Sequence, residues 1–384
     1  MKITIVGAGN AGCFTALHYA MFTRHIDCEV ELVHNPDILP EPVGQATFPN
    51  EPELLDNALG FNWHNNFIHA TPKTGILYEG WGKKNKSFFH PFPADSVGLH
   101  LCPVELQREI LQSGLFKVRE SNVLDPKDVD ADYVFDCRGR PDDLTDYDDL
   151  INPLNAAIIA RPNWDTGKTL WTRTVATPDG WTFIIPTHFY SQSRGGSAGY
   201  LYNSDITSKE EAENNFQDQF DVDVREAKYI NFKSYIAKNP VVDGRIFLNG
   251  NRLFFLEPLE STAAQAYVEC ARYFVDYIIT KREKVEQAAH SAKQYIRQLQ
   301  NFVLWHYQFG SKYDTPFWNY AKKLSFKDKT FDAMVEYCKQ TTNRDILPKS
   351  YGGSTSDASQ YGQWPANSFK VWQDGMTIAQ EKTD

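Results

Sequence analysis

The chain begins MKITIVGAGNAGCFTALHYAMF, residues 1–22, and the reading of this stretch decides the fold. KITIV is short, apolar and rich in β-branched residues, as a buried strand is. Gly7, Gly9 and Gly12 follow with the spacing G-x-G-x-x-G, and CFTALHYAMF continues as a helix. The glycine spacing is weak by itself and gains meaning from a strand before it and a helix after it. Gly7 permits a tight turn, Gly9 lets a pyrophosphate approach the backbone, and Gly12 allows close helix packing, with the helix N-terminus facing the anion. Gly7, Ala8, Gly9, Asn10, Ala11 and Gly12 are therefore candidate dinucleotide-binding residues. CEVELV, residues 28–33, completes a βαβ opening and implies an α/β fold with a parallel sheet and right-handed crossovers. An acid usually holds the ribose hydroxyls at the end of this second strand. Here His34 takes that position, with Asp37 as the second choice.

Two later stretches extend the same sheet. DADYVFDCRG, residues 130–139, reads as a buried strand ending at Asp136 and Gly139, and DGRIFLNGN, residues 243–251, has the same look. Long insertions separate them, so the nucleotide module is expected to assemble from segments at about 1–50, 95–155 and 240–280. Between them, LWTRTVATPDGWTFIIP alternates aromatic and β-branched residues about a Pro-Asp-Gly turn. That is antiparallel sheet material, placed at about 51–94 and 156–239 and suited to a substrate. The acid-rich SKEEAENNFQDQFDVD reads as a helix with a solvated face. From 261 to about 341 the spacing is helical, and the stretch YGGSTSDASQYGQWPANS after 350 is expected to be irregular, giving a helical C-terminal part over 281–384 with an irregular tail.

Composition narrows the function. The net charge of −10 leaves no basic surplus for nucleic acid or an anionic membrane, so small molecules are the expected partners. Six widely spaced cysteines without Cys-x-x-Cys read as reduced thiols rather than a zinc site or a disulfide framework, and no metal site is expected. The start runs straight into a strand and no apolar run approaches a membrane span, which points to the cytoplasm.

FFLEPLESTAAQA, residues 254–266, carries two glutamates in an apolar run. Capping by Ser261 or Thr262, with an acid near the helix start, accounts for one of them better than for both. Burying an ionised carboxylate costs several kcal/mol unless it is paired or neutralised.

Seven stretches in order resemble the flavin-dependent halogenases of the tryptophan-halogenase type. They are GAGNAG, VGQATFPN (43–50), ATPKTGILYEGWG (70–82), GWTFIIP (180–186), GSAGYLYNSDITSKEEA (196–212), NGNRLFFLEPLESTA (249–263) and HYQFGSKYDTPFW (306–318). The resemblance implies an FAD-binding Rossmann-like flavoprotein monooxygenase fold of the p-hydroxybenzoate-hydroxylase type, with an added antiparallel sheet. It implies reduced FAD, oxygen and a halide as co-substrates, a separate NAD(P)H flavin reductase, and a small electron-rich aromatic substrate. The family's active-site lysine falls on Lys73 and its glutamate on Glu260. Its halide position falls on Ser261, Thr262 and Ala263, where the family usually has glycine at the last. Gln45, Ala46, Thr47 and Gly250 fall at flavin-contacting positions, with Gln45 replacing an acid. Trp181, Phe183 and Pro186 fall in a G-W-x-W-x-I-P signature, Phe183 replacing its second tryptophan, and would screen substrate from flavin.

On this resemblance, hypohalous acid formed beside the flavin is held by the Lys73 ammonium, as such or as a haloamine. Glu260 orients it or takes the proton lost by an aromatic ring. A Lys73–Glu260 pair would also explain a tolerated Glu260, leaving Glu257 structural or capping. TPKTG by itself reads as a solvated turn lysine, and aromatics at alternating strand positions are ordinarily core. The C-terminal part looks short, as in a compact, phage-encoded member, which implies an open pocket, broad substrates and a lean toward bromide or iodide, with chloride accepted. Two other readings stay open: a halide-independent flavin monooxygenase or reductase, and a flavin-binding protein without catalysis. Homo-oligomerisation also stays open.

Overall fold

A computed structural model describes residues 1–41, 43–82, 87–92, 96–164, 166, 169–187, 196–329, 331–333, 336, 360–361 and 364–377. The chain divides into two compact units, each built from separated segments. The first comprises Met1–Ala70, Leu101–Leu150 and Lys233–Arg297. The second comprises Thr71–His100, Ile151–Phe232 and Gln298–Asp384.

The first unit is built on a six-stranded sheet in the order Val241–Val242, Ile246–Leu248, Tyr133–Asp136, Lys2–Val6, Glu29–His34, Lys117–Glu120. Every neighbouring pair except the first is parallel. Ile3, Ile5, Leu32, Val33, Val134, Phe135 and Phe247 are buried along it, as expected of strands covered on both faces. Helix Asn10–Thr23 follows the glycine turn and packs on helices Thr262–Tyr273, Asn50–Leu59 and Pro103–Leu111. It has almost no polar face, with Ala11 to Tyr19 all buried, and so sits inside the unit rather than on its surface. The two strands expected from DADYVFDCRG and DGRIFLNGN occur at Tyr133–Asp136 and Ile246–Leu248, side by side.

The second unit is built on a seven-stranded sheet in the order Lys228–Asn231, Ala156–Ala160, Ser197–Tyr202, Gly180–Ile185, Thr172–Thr177, Gly75–Glu79, Ser87–Pro91. All its pairs are antiparallel except Thr172–Thr177 with Gly75–Glu79. The Pro178-Asp179 turn joins a hairpin in which Thr177 faces Gly180. Buried Asp179 anchors it, accepting from the Tyr200 hydroxyl at 2.5 Å, Thr207 Oγ1 at 3.1 Å and Asn215 Nδ2 at 2.7 Å. Helix Lys209–Phe220 begins at Ser208, whose hydroxyl accepts from the Glu211 N–H, and buries Ala212, Phe216 and Phe220 while its acids face outward.

The C-terminal residues are less irregular than the sequence suggests. Residues 351–359 and 362–363 of the glycine- and serine-rich stretch lie outside those described, yet Ala366–Thr377 is a helix. Phe369, Trp372 and Met376 are buried on it. Trp372 stacks on His90 at 4.2 Å, and Gly375 lies so close to Phe88 that a Cβ there would sit 2.3 Å from the ring. Aromatic packing overrides the weak local signal here. The described cysteines Cys13, Cys28, Cys102, Cys137 and Cys270 are free; Cys338 lies outside the described residues. No helix among the described residues is long and apolar enough to cross a membrane.

Candidate functional site

The candidate residues divide between the two units. The first unit holds the glycine turn, His34, Gln45 to Thr47, Gly250, Glu260 and the residues after it; the second holds Lys73, Trp181, Phe183 and Pro186.

In the first unit the three glycines do different things. Gly7 has φ +103° and a Cβ there would lie 2.5 Å from the Cys137 carbonyl oxygen. A Cβ on Gly12 would lie 1.7 Å from the Gly7 carbonyl oxygen, so the turn closes on itself. A Cβ on Gly9 would meet nothing within 4 Å, so the space over Gly9 is open. Gly9 is also the N-cap of helix Asn10–Thr23, which has no side-chain cap hydrogen bond and no acid in its first turn. An open, uncapped helix start with a positive dipole end is the environment a pyrophosphate requires.

Sequence reasoning missed the groups that hold this turn in place. Gln107 Nε2 donates to the Ala8 carbonyl at 2.7 Å. Asn249 Nδ2 donates to Thr15 Oγ1 at 3.0 Å and to the Tyr267 carbonyl at 2.9 Å, which fixes Gly250 at φ +62° with a Cβ position 2.5 Å from Ala11. At the neighbouring strand end, buried Asp136 accepts two hydrogen bonds from the Arg138 guanidinium, each 2.8 Å, and a third from its backbone N–H at 3.3 Å, and Arg252 approaches it at 3.5 Å. His34 is partly buried at the end of Glu29–His34. Gln45 and Ala46 form a short strand, and the Thr47 hydroxyl donates to the Phe48 carbonyl at 2.9 Å.

The segment after Phe255 departs from the capping expectation. Glu257, Glu260 and Thr262 are all buried. Ser261 occupies the N-cap of helix Thr262–Tyr273, but its side chain makes no cap hydrogen bond, and Glu257 is at neither helical N-cap. Glu260 has φ +68° and Ser261 φ +56°, two consecutive non-glycine residues in the left-handed region. Each such residue costs on the order of 1–2 kcal/mol and persists only where its surroundings hold it. Helix Thr262–Tyr273 begins directly after this left-handed pair, and its first turn carries no acid.

In the second unit Lys73 is no surface lysine. It ends strand Thr71–Lys73, paired antiparallel with Gly98–Leu101, and is completely buried. Its Nζ lies 5.2 Å from the centre of the Phe92 ring. Burial, the neighbouring His306 and the Lys73 charge push His90 down to about 3, and burial with the Lys73 charge holds His100 well below the usual imidazole range. Thr71, two residues before Lys73, donates its hydroxyl to the Pro186 carbonyl at 2.7 Å, which ties the lysine strand to the end of the signature strand. Trp181 and Phe183 share the other face of Gly180–Ile185 from core residue Ile184, with ring centres 6.2 Å apart. Phe183 lies against Gly199, where a Cβ would be 2.3 Å from the ring. The described residues contain no group of three metal-ligating side chains.

A glycine turn opening an uncapped helix on a parallel sheet, with a second unit of antiparallel sheet, defines an α/β fold of the FAD-binding Rossmann-like class. The profile of the tryptophan halogenase family matches residues 2–117 and 117–379, and the chain belongs to that family. The chain is 24% identical over 360 residues to tryptophan 7-halogenase KtzQ of Kutzneria sp. (strain 744), covering 86% of this chain and 62% of that protein. It is 26% identical over 231 residues to tryptophan 6-halogenase ThaL of Streptomyces albogriseolus, covering 59% of this chain and 41% of that one. The chain thus spans less than two thirds of the length of these curated relatives. Its fold is that of Xcc4156, a flavin-dependent halogenase from Xanthomonas campestris, with a TM-score of 0.79 at 17% identity over 98% of this chain and 89% of that one.

Proposed function

We propose that the chain is an FAD-dependent halogenase that uses halide and oxygen to halogenate small electron-rich aromatic or heteroaromatic molecules. The observation that carries this reading is the complete burial of Lys73 on a strand, since a charge held out of water is costly and such groups cluster at functional sites. The left-handed backbone at Glu260 and Ser261 supports it independently, since strain of this kind clusters at functional sites.

Reduced FAD, delivered by a separate NAD(P)H-dependent flavin reductase, supplies the electrons with which oxygen oxidises halide to hypohalous acid. The residues fit its pyrophosphate: Gly9 leaves the space, and the first turn of Asn10–Thr23 provides the donors. His34 serves the ribose, and Gln45, Ala46, Thr47 and Gly250 line the flavin. Ser261, Thr262 and Ala263 receive the halide at a helix start, where the dipole favours an anion. Trp181, Phe183 and Pro186 screen the organic substrate. Lys73 holds the hypohalous acid; as the carbon–halogen bond forms and the oxygen–halogen bond breaks, the Lys73 ammonium gives the departing hydroxide the proton with which it leaves as water, and Glu260 takes the ring proton.

The test supplies FAD, a reductase with NADH, oxygen, one halide at a time and a panel of phenols and indoles, and reads halogen-shifted masses against oxygen consumed. Wild-type protein is expected to give product that requires halide, with bromide or iodide at least as good as chloride. Lys73→Ala is expected to consume oxygen yet lose product by at least about a hundredfold. Oxygenated product without halide would establish a monooxygenase instead.

A further inference from the structure

The carboxyl end of the parallel sheet in the first unit carries more positive charge than its buried acid matches. Asp136 ends its strand in register with Val6, the residue before the glycine turn, and its carboxylate is buried. Arg138 takes up that carboxylate through Nε and Nη2, each at 2.8 Å, and through its backbone N–H at 3.3 Å. Its Nη1 donates to the Val123 and Leu124 carbonyls at 3.1 and 2.5 Å, so all three guanidinium nitrogens are committed within the fold. Arg252 is held differently. It reaches the same carboxylate only at 3.5 Å, and its Nε is buried without a hydrogen-bond partner among the described residues. One buried carboxylate therefore faces two guanidinium groups, and the Arg252 side chain is only 19% exposed. The other charges on this side, Arg140, Asp125 and Asp142, are exposed, where water screens them. A buried donor left unsatisfied on a charged group is costly, and in a native fold it calls for a partner.

The position of Arg252 indicates that partner. It closes the turn Gly250–Arg252, whose first residue is pressed against the start of helix Asn10–Thr23: a Cβ on Gly250 would lie 2.5 Å from the Ala11 Cβ. The Tyr147 hydroxyl donates to the Arg252 carbonyl at 2.7 Å and fixes the end of that turn. On the other side Arg138 flanks Gly7, its Cα 3.1 Å from where a Gly7 Cβ would be. The surplus charge thus stands beside the glycine turn, at the carboxyl ends of the strands, where sheets of this kind receive their ligands. The helix start next to it carries no acid and no side-chain cap.

We propose that Arg252 is the counter-charge of the cofactor pyrophosphate, its guanidinium donating to phosphate oxygens while the first turn of helix Asn10–Thr23 supplies backbone donors. The inference rests on the FAD-dependent reading above and adds a cationic side chain to a site that otherwise offers backbone N–H groups. A guanidinium suits the task, because its planar fork matches phosphate geometry and it stays charged at every working pH. Arg138 is then a positioning residue: by saturating Asp136 it keeps that carboxylate from capturing the Arg252 fork.

The experiment titrates apo protein with FAD by fluorescence, and with ADP and riboflavin by displacement of FAD, between about 50 and 300 mM salt, in wild type, Arg252→Gln and Arg252→Lys, with the thermal midpoint of each apo protein. Arg252→Gln is expected to weaken FAD and ADP by roughly ten- to a hundredfold, to leave riboflavin within about twofold, and to flatten the salt dependence of FAD affinity, with the apo midpoint nearly unmoved. Arg252→Lys, which keeps the charge and loses the fork, is expected to fall between the two. A folded Arg252→Gln with wild-type affinity for FAD and ADP overturns the proposal. An equal loss for all three ligands with a lowered midpoint overturns it too, since it marks Arg252 as a structural partner of Asp136. Should Arg252→Gln fail to fold, wild-type protein decides: modification of Arg252 by phenylglyoxal, read by peptide mass, should be slowed by saturating FAD or ADP and not by riboflavin, and equal rates with and without FAD overturn the proposal. Wild-type protein that binds no FAD would instead sink the cofactor reading on which the inference stands, so the two failures are distinct.

Discussion

Two glycines of the same turn are expected to fail in opposite ways. In a helix, replacing glycine by alanine is ordinarily favourable by up to about 1 kcal/mol. At Gly12 the new Cβ would lie 1.7 Å from the Gly7 carbonyl oxygen and 2.8 Å from its carbon. These are backbone atoms, which cannot swing away as the end of a side chain can. Gly7 is itself wedged against Cys137 and has a φ of +103°, so the turn has nowhere to retreat. Gly12→Ala should therefore destabilise by more than about 3 kcal/mol, beyond ordinary overpacking, out of a total of about 5–15 kcal/mol. Gly9 has φ −68° and ψ −179°, which any residue adopts, and open space at its Cβ. Gly9→Val should leave the apo fold within about 1 kcal/mol of wild type. It should nonetheless weaken FAD binding by about a hundredfold, since losing one or two charge-assisted hydrogen bonds at roughly 1.5–3 kcal/mol each corresponds to that factor. The assay is a pair of measurements on each variant: the thermal midpoint without flavin, and a fluorescence titration with FAD. Saturating FAD should raise the wild-type midpoint and leave that of Gly9→Val nearly unmoved. Wild-type FAD affinity in Gly9→Val, or wild-type stability in Gly12→Ala, would refute the assignment of these roles.

Other expectations concern strain, pH and packing. Ser261→Gly should hold or raise stability by up to about 1 kcal/mol in denaturant unfolding, because glycine accepts φ +56° without strain; a loss above 1 kcal/mol would show that the hydroxyl, not the backbone, matters. Burial lowers His90 and His306 from 6.5 to about 3, so as pH falls below 6.5 the unfolded chain binds protons that the native one does not. Each should thus remove roughly 2 kcal/mol of stability by about pH 5, and His90→Phe should make the acid side of the stability profile shallower; an unchanged slope would count against a neutral His90. Gly199→Ala should cost about 1–3 kcal/mol through its 2.3 Å approach to Phe183, and much less in a Phe183→Ala background; additive losses in that double-mutant cycle would exclude the contact.

The nucleotide end of the fold is legible in the sequence because its constraints are local. A strand, a glycine turn and a helix lie within residues 2–23, and the forbidden Cβ positions at Gly7 and Gly12 explain why those spacings matter. Two further strands of that sheet, Tyr133–Asp136 and Ile246–Leu248, announce themselves by apolar runs closed by Asp or Asn and glycine, whereas Lys117–Glu120 and Val241–Val242 carry no such mark. The supports of the turn are another matter. Gln107 and Asn249 are 99 and 234 residues from the atoms they hold, at Ala8 and Thr15, and no local pattern marks them. Lys73 is opaque for a similar reason. TPKTG looks solvated because its burial comes from Gly98 opposite it and Phe92 beside it, both outside the motif. The helix Ala366–Thr377 was obscured by the glycine and serine before it, while the aromatic residues that hold it in place, Phe369 and Trp372, gave the better signal.

The departures from the family signature can be weighed against the costs that the chain retains. Phe183 replaces a tryptophan, but its ring is fitted to a Gly199 that leaves no room for any side chain, so the substitution is accommodated by its own neighbour. A site that had lost its chemistry would be free to shed its expensive features. Glu260 could become a glycine and relieve a φ of +68°, and Lys73 could become a methionine and spare the burial of an ammonium. Either change removes one of those local costs in a single step, and changes of this kind are easily found when function no longer opposes them. That both costs persist, one in each unit and both at positions where the family resemblance places chemistry, favours a working halogenase over a flavin-binding relic.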